Sequence, residues 1–99
     1  MTGGDVPVAV TVLVPGVLRG DAEGAARLEV AAQGTLADVV REIGERWPRL
    51  ERRICDERGE IRRFVNVYVD GEDVRRTAGL ATPVAAGAEV QILPSVAGG

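Results

Sequence analysis

Valine occupies every second position from Val6 to Val14, and this alternation limits the fold more than any other feature of the chain. β-branched side chains with a period of two are typical of a strand that buries one face. The dipeptide Pro15-Gly16 ends the pattern, and a second alternation follows around Leu28 and Val30. The first half of the chain therefore predicts a β-hairpin with a long turn.

The next segment has the spacing of an amphipathic helix. Thr35 is a favourable N-cap, and Asp38 lies in the first turn, where the helix dipole favours a negative charge. Pro48 is expected to end the helix after about twelve residues. The apolar positions form one stripe that needs a sheet to cover: Leu36, Val39, Val40, Ile43 and Trp47.

The second half alternates charged segments with strands. The charge-dense stretch Glu51–Arg63 is expected to be solvated, and Leu50, Ile54 and Ile61 are the side chains that could pin it to the core. Strands are expected at Phe64–Val69 and Val90–Leu93, with a tight turn at Asp70-Gly71 and a short helical turn between the strands. We expect an α+β fold: a mixed sheet of four to five strands, with the first and last adjacent at its centre and one main helix on one face.

Composition excludes several classes of function. The 99 residues contain no histidine and no lysine, so the commonest general base, the commonest zinc ligand and any lysine nucleophile are missing. Cys55 is the single cysteine, which rules out an internal disulfide and suggests a structural or incidental thiol in a reducing compartment. The formal net charge of −3 argues against nucleic acid or an anionic membrane as a partner. We expect no catalytic residues, no bound cofactor and no metal site.

The domain organisation follows from the same patterns. Met1–Asp5 has no basic residue, and the apolar run after it is a poor signal peptide. No apolar run is long enough to cross a membrane, so we expect a cytoplasmic, monomeric protein. We divide the chain into a flexible extension at 1–5, one folded domain at 6–94 and a flexible tail at 95–99.

Two glycines end the sequence, directly after a final strand and Pro94. Glycine has no side chain to pack and loses the most backbone entropy on ordering, so Gly98 and Gly99 add nothing to a core. Five extended residues reach roughly 17 Å, which is enough to place the last carboxylate in a partner's active site. We expect Val96, Ala97 and Gly98 to thread a partner's channel and the α-carboxylate of Gly99 to react. A frayed end without function is the competing interpretation.

Several segments resemble one known family. The order of the predicted elements is similar to the ubiquitin-like β-grasp fold, and within that fold the chain resembles the MoaD/ThiS sulfur carrier proteins, most of all the branch that serves cysteine biosynthesis. The segments that carry the resemblance are Phe64–Val69, Asp73–Arg75, Gly79–Thr82 and Ile92–Gly99.

This resemblance implies a mechanism in which the chain is a substrate for other enzymes. An E1-like enzyme would use ATP to adenylate Gly99 and would convert it to a thiocarboxylate. A PLP-dependent cysteine synthase would accept the sulfur, and a metallopeptidase would release cysteine from Gly99. Three alternatives remain open: a sulfur-carrying subunit of molybdopterin synthase or a carrier for another metabolite, a protein modifier conjugated through Gly99, and a β-grasp interaction module with an incidental tail.

Partner enzymes also require a docking surface. The exposed positions of three predicted strands hold large apolar residues that alternate away from core-facing neighbours. We expect these residues to form an apolar patch beside the tail: Leu13, Phe64, Tyr68 and Leu93. The competing interpretation is that one or more of them completes the core under a loop.

Overall fold

The computed structural model describes residues 9–31 and 34–94. The predicted extension at 1–5, the first two alternating valines and the tail at 95–99 lie outside the described residues. The strands in chain order are β1 (Val10–Leu13), β2 (Arg27–Val30), β3 (Gly34–Thr35), β4 (Val65–Val69), β5 (Glu72–Asp73), β6 (Pro83–Val84) and β7 (Glu89–Pro94). The helices are α1 (Leu36–Arg46) and α2 (Pro48–Ile54), and short 3₁₀ helices occupy Gly16–Ala22, Val74–Arg76 and Gly79–Ala81.

A mixed sheet of five strands organises the described residues, in the order β2-β1-β7-β4-β5. β1 and β7 run parallel to each other, whereas β2 pairs antiparallel with β1 and β4 pairs antiparallel with β7. The predicted adjacency of the first and last strands is therefore confirmed. β3 and β6 form a separate two-stranded ladder.

One face of this sheet is the core. Val10, Val12 and Val14 are at most 2% exposed, which confirms that the alternating valines bury one face. Val67 of β4 and Ile92 of β7 are buried in the same cluster. α1 covers this face with its predicted apolar stripe, of which four members are buried and Trp47 is half-buried. The opposite face of the sheet carries the alternate residues of each strand.

α1 begins at a capping box. The Thr35 hydroxyl accepts a hydrogen bond from the Asp38 backbone N–H at 3.4 Å, and an Asp38 carboxylate oxygen accepts one from the Thr35 N–H at 3.0 Å. Gly34 precedes the box with a φ of +128°, and a Cβ there would lie 2.6 Å from the same carboxylate. The positive φ therefore favours glycine here, and a larger side chain would also have to displace the Asp38 carboxylate from the capping box.

The second helix, α2, was not predicted. Pro48 ends α1, as expected, but it is also the first residue of α2, a position that suits proline because its missing N–H would have no helical partner. Leu50 and Ile54 are buried and Ile61 packs against the core, so the predicted anchors are confirmed. The arginines of α2 remain exposed.

The turns of the second half agree with the sequence. Asp70 and Gly71 both have positive φ, at 50° and 86°, and they join β4 to β5 as a tight hairpin. The expected helical turn is the 3₁₀ helix at Gly79–Ala81. None of the helices in the described ranges 9–31 and 34–94 is long and apolar enough to cross a membrane.

Candidate functional site at the carboxyl edge of the sheet

The last strand ends at one edge of the sheet, and the chain continues from there into residues 95–99. Because β1 and β7 are parallel, with Leu13 opposite Gln91, their carboxyl ends lie at the same edge. Pro94 is opposite Val65 at the start of β4, and it has no N–H to donate to a further ladder bond. We call this region the carboxyl edge: Leu13, Phe64, Leu93 and Pro94.

Three of the four predicted docking residues lie at this edge. Leu13 and Leu93 line one cleft of about 290 Å³ together with Gln91. Phe64 is 55% exposed and lines a neighbouring cleft of about 450 Å³ with Pro94. All three side chains keep apolar surface available to a partner.

The fourth predicted residue lies elsewhere. Tyr68 is half-buried and lines a cleft beside the β4–β5 hairpin with Gly71 and Glu72. That hairpin is at the opposite end of β4 from Phe64. The structure therefore separates Tyr68 from the clefts at the carboxyl edge.

Sequence reasoning missed one member of this surface. Val17 lies in the 3₁₀ helix after β1 and is 74% exposed, while its neighbour Leu18 is buried and lines the same cleft as Phe64 and Pro94. In the part of the chain that the structure describes, the exposed large apolar side chains are Val17, Phe64 and Leu93. All three lie at or next to the carboxyl edge, and we call them the apolar rim. The Pro15-Gly16 break interrupted the periodicity that would have flagged Val17.

Hydrogen bonds hold the backbone next to the rim. The Arg75 guanidinium donates to the Asn66 side-chain oxygen at 2.8 Å and to the Arg62 carbonyl at 2.9 Å. The Arg19 side chain donates to the Val14 carbonyl at 3.0 Å. The Arg75 bonds hold the backbone on both sides of Phe64, and the Arg19 bond holds the backbone just after β1.

Cys55 lies outside this site. Its side chain is buried, and its backbone, directly after α2, forms an antiparallel bridge with Ile61. Burial, together with the nearby carboxylates of Glu51 and Asp56, raises the pKa of the Cys55 thiol to about 11. The thiol is therefore neutral at pH 7 and is a poor nucleophile. Within 9–31 and 34–94, no cluster of three or more side chains that could ligate a metal occurs.

Comparison with known proteins assigns this arrangement to a family. The sequence model of the ThiS family matches residues 12–99, which include most of the sheet and the diglycine. The chain belongs to the ThiS family. Its sequence is also 43% identical over 93 residues to the sulfur carrier protein CysO of Mycobacterium tuberculosis (strain H37Rv), covering 91% of this chain and 98% of that relative.

Solved structures agree with the ThiS assignment. A chain in the crystal structure of the Amycolatopsis orientalis BexX/CysO complex is similar with a TM-score of 0.84 and 38% identity, over 92% of this chain and all of that one. The solution structure of small archaeal modifier protein 1 from Methanosarcina acetivorans is similar with a TM-score of 0.77 and 28% identity, over 95% of this chain and 99% of that one. The predicted ubiquitin-like β-grasp fold is confirmed.

Proposed function

We propose that this ThiS-family chain is a sulfur carrier protein that bears sulfur as a thiocarboxylate on Gly99 and supplies cysteine biosynthesis. The 43% identity to CysO across 91% of the chain carries the proposal. The family match supports Gly99 as the site because it runs through that residue. The chain acts as a protein co-substrate, and it contributes a carboxylate rather than catalytic side chains.

Activation requires an E1-like partner that binds ATP. The Gly99 carboxylate attacks the α-phosphate, pyrophosphate leaves, and an acyl-adenylate forms. Sulfide then attacks the carbonyl carbon, the C–O bond to AMP breaks, AMP leaves, and loss of the remaining S–H proton gives the thiocarboxylate. Glycine at positions 98 and 99 keeps that carbon open to attack, and Val96 and Ala97 are small enough to pass through a narrow channel.

The carboxyl edge supports this reaction because it brings a docking surface and the tail to one place. β7 pairs with β4 as far as Pro94, and five residues beyond that point would reach roughly 17 Å in an extended conformation. The apolar rim lies around that point. A partner that covers the rim thereby brings its tail channel over Pro94.

Downstream steps use other enzymes. We propose that a PLP-dependent cysteine synthase presents an aminoacrylate, that the thiocarboxylate sulfur attacks it, and that a metallopeptidase then frees cysteine from Gly99. These steps belong to the cytoplasm, where ATP for the activation is available.

Reconstitution tests the proposal. The chain is incubated with the E1-like enzyme of its own cell, ATP and sulfide, and its intact mass is measured. We expect the gain that corresponds to one oxygen replaced by sulfur. The variant that lacks Gly99 should show no gain, whereas a matched variant that lacks Gly3 should react like the unaltered chain. Loading that persists without Gly99 would contradict the proposed site.

A protein modifier is the second candidate, because the chain is similar in structure to a small archaeal modifier protein. Modification would join Gly99 to lysines of other proteins. The same chain cannot build polymers on itself through lysine, since it contains none. Covalent adducts of higher mass in cell extracts, abolished by loss of Gly99, would favour this candidate over the carrier.

A further inference from the structure

Four arginines gather beside the carboxyl edge, and the proposed reaction gives them no role. We call them the arginine cluster: Arg49, Arg52, Arg53 and Arg62. They line one cleft of about 480 Å³ with a single acidic residue, Asp21. Three of them, Arg52, Arg53 and Arg62, also line the adjoining cleft that contains Phe64 and Pro94. The cluster is therefore continuous with the surface from which the tail begins.

Internal contacts neutralise only part of this charge. Arg53 pairs with Asp21 at 3.1 Å, and the Arg62 Nε donates to the Arg52 carbonyl at 2.7 Å. Neither Arg49 nor Arg52 forms an ion pair with a carboxylate in the described residues. All four side chains are exposed. The cluster thus presents an excess of positive charge to solvent, although the whole chain has a net charge of −3.

The opposite end of the sheet is acidic. Asp70, Glu72 and Asp73 lie at the β4–β5 hairpin, and Glu89 begins β7 beside them. Arg76 lines the cleft there with Glu72 and Asp73, so acidic side chains are in excess but not alone. The Glu89 N–H donates to the Asp70 carboxylate at 2.9 Å, and the Asp70 N–H donates to the Glu89 carbonyl at 2.8 Å. Positive and negative charges are therefore separated along the sheet, with the positive end where the tail begins. Such a separation orients a molecule as it approaches a charged partner.

We infer that the arginine cluster docks on an acidic surface at the entrance of the tail channel of the E1-like enzyme. This inference rests on the proposed function, which supplies that partner. Residues 95–99 contain no charged side chain and end in the Gly99 carboxylate, so any positive charge recognised at this end must come from the domain. A protein surface fits better than a nucleic acid, because the acidic end and the net charge repel a long polyanion.

A pair of matched double variants tests the inference. R49Q/R52Q removes two charges from the arginine cluster, and R58Q/R76Q removes two exposed arginines that line neither of its clefts. Both change the net charge by the same amount. Association with the E1-like enzyme is followed by stopped-flow fluorescence at low and high ionic strength, and thermal unfolding checks that each variant is folded.

We expect R49Q/R52Q to slow association roughly three- to tenfold at low ionic strength and to flatten its salt dependence. R58Q/R76Q should remain within about twofold of the unaltered chain, and R49K/R52K, which keeps the charge, should restore most of the rate. Equal slowing in both Gln doubles, or none in either, would overturn the inference.

Sulfur loading measured on the same samples distinguishes failure of the docking inference from failure of the proposed function. Sulfur loading that proceeds with equal rates in the unaltered chain and in R49Q/R52Q overturns the docking inference alone. Salt-dependent association of the unaltered chain without any sulfur loading overturns the proposed function alone.

Discussion

At the scale of single residues, Asp38 both caps helix α1 and carries a negative charge that the folded state stabilises. Its carboxylate accepts hydrogen bonds from the Thr35 N–H at 3.0 Å, from the Thr35 hydroxyl at 3.2 Å and from Arg41 at 2.7 Å. The bond from the Thr35 backbone is the main reason that the pKa of Asp38 lies below its usual value of 3.8. The folded state therefore favours the ionised form of this carboxyl group.

A pH series of the Asp38→Asn variant tests this capping role. Because the pKa of Asp38 is lower in the folded chain, its charge stabilises the fold at pH values above 3.8, and that contribution is lost as the pH falls through the folded pKa. The gap in urea midpoint between the variant and the unaltered chain should be widest at neutral pH and narrow below pH 3.8. Glu57→Gln, on an exposed turn, is the control and should show little gap throughout. A gap for Asp38→Asn that is independent of pH would contradict the role.

Burial of Cys55 leads to a second prediction at this scale. Since burial raises the pKa of its thiol to about 11, the thiol should react slowly with iodoacetamide at pH 8 in the native chain and quickly in urea. An Ala86→Cys variant supplies an exposed thiol in the same molecule as a control, so one label should add quickly and the second slowly. Rapid double labelling of the native variant would show that Cys55 is accessible.

The raised pKa of Cys55 also has a consequence for stability. Folding favours the neutral thiol, so its contribution is complete below the unfolded pKa, near 9, and declines as the pH rises towards 11. A Cys55→Ala variant should therefore lose less stability than the unaltered chain between pH 9 and 11, as measured by urea unfolding. An identical alkaline loss in both proteins would contradict this assignment.

At the scale of elements, the strands and the main helix were predictable because the spacing of their apolar residues shows which side chains are buried. The valines of β1 and the stripe of α1 are examples, and the positive φ of Asp70 and Gly71 matched the turn expected from their sequence. α2 was not predictable in the same way. Its seven residues hold only two buried side chains, too few to establish a helical period, and the arginines between them suggested a solvated loop.

Only part of the candidate site was predictable from the sequence. Alternation along the strands placed Leu13 and Leu93 on the exposed face, but it also placed Tyr68 there without showing that it lies beside another cleft. Val17 and the arginine cluster depend on how the first 3₁₀ helix and α2 pack against each other. Those are contacts between distant parts of the chain, which local patterns do not encode.

The contribution of α2 to the core can be measured by truncating one of its buried side chains. Leu50 is fully buried, so Leu50→Ala should lower the free energy of unfolding by about 2–5 kcal/mol in urea denaturation. Its neighbour Arg49 is exposed, and Arg49→Ala should change the free energy by no more than about 0.5 kcal/mol. Similar small effects for both variants would mean that α2 does not contribute to the core.

At the scale of the whole molecule, the fold brings an apolar rim, an arginine cluster and the start of the tail to one end of the sheet. The core is mainly aliphatic and lies on the face of the sheet that α1 covers. Substitution of exposed residues at the carboxyl edge should therefore change the free energy of unfolding little. Under the proposed function, partner enzymes would recognise this end of the sheet and act on the Gly99 carboxylate.

The apolar rim should contribute to binding rather than to folding. Phe64→Ala is expected to weaken binding to the E1-like enzyme by roughly tenfold or more, because exposed aromatic side chains are frequent anchors of interfaces. Tyr68→Ala, at the other end of β4, is the control and should change affinity by less than about threefold. Isothermal titration calorimetry measures both. A larger loss for Tyr68→Ala than for Phe64→Ala would move the docking surface to the hairpin.

Sulfur is proposed to be carried on Gly99, the last residue of this sequence. Intact-mass spectrometry of the protein purified from its own cells, followed by fragmentation of the C-terminal peptide, tests it most directly. We expect a population in which one oxygen is replaced by sulfur, with the change confined to Gly99. Unmodified protein alone, even in cells with an active E1-like enzyme and a supply of sulfur, or sulfur located on Cys55 instead, would contradict it.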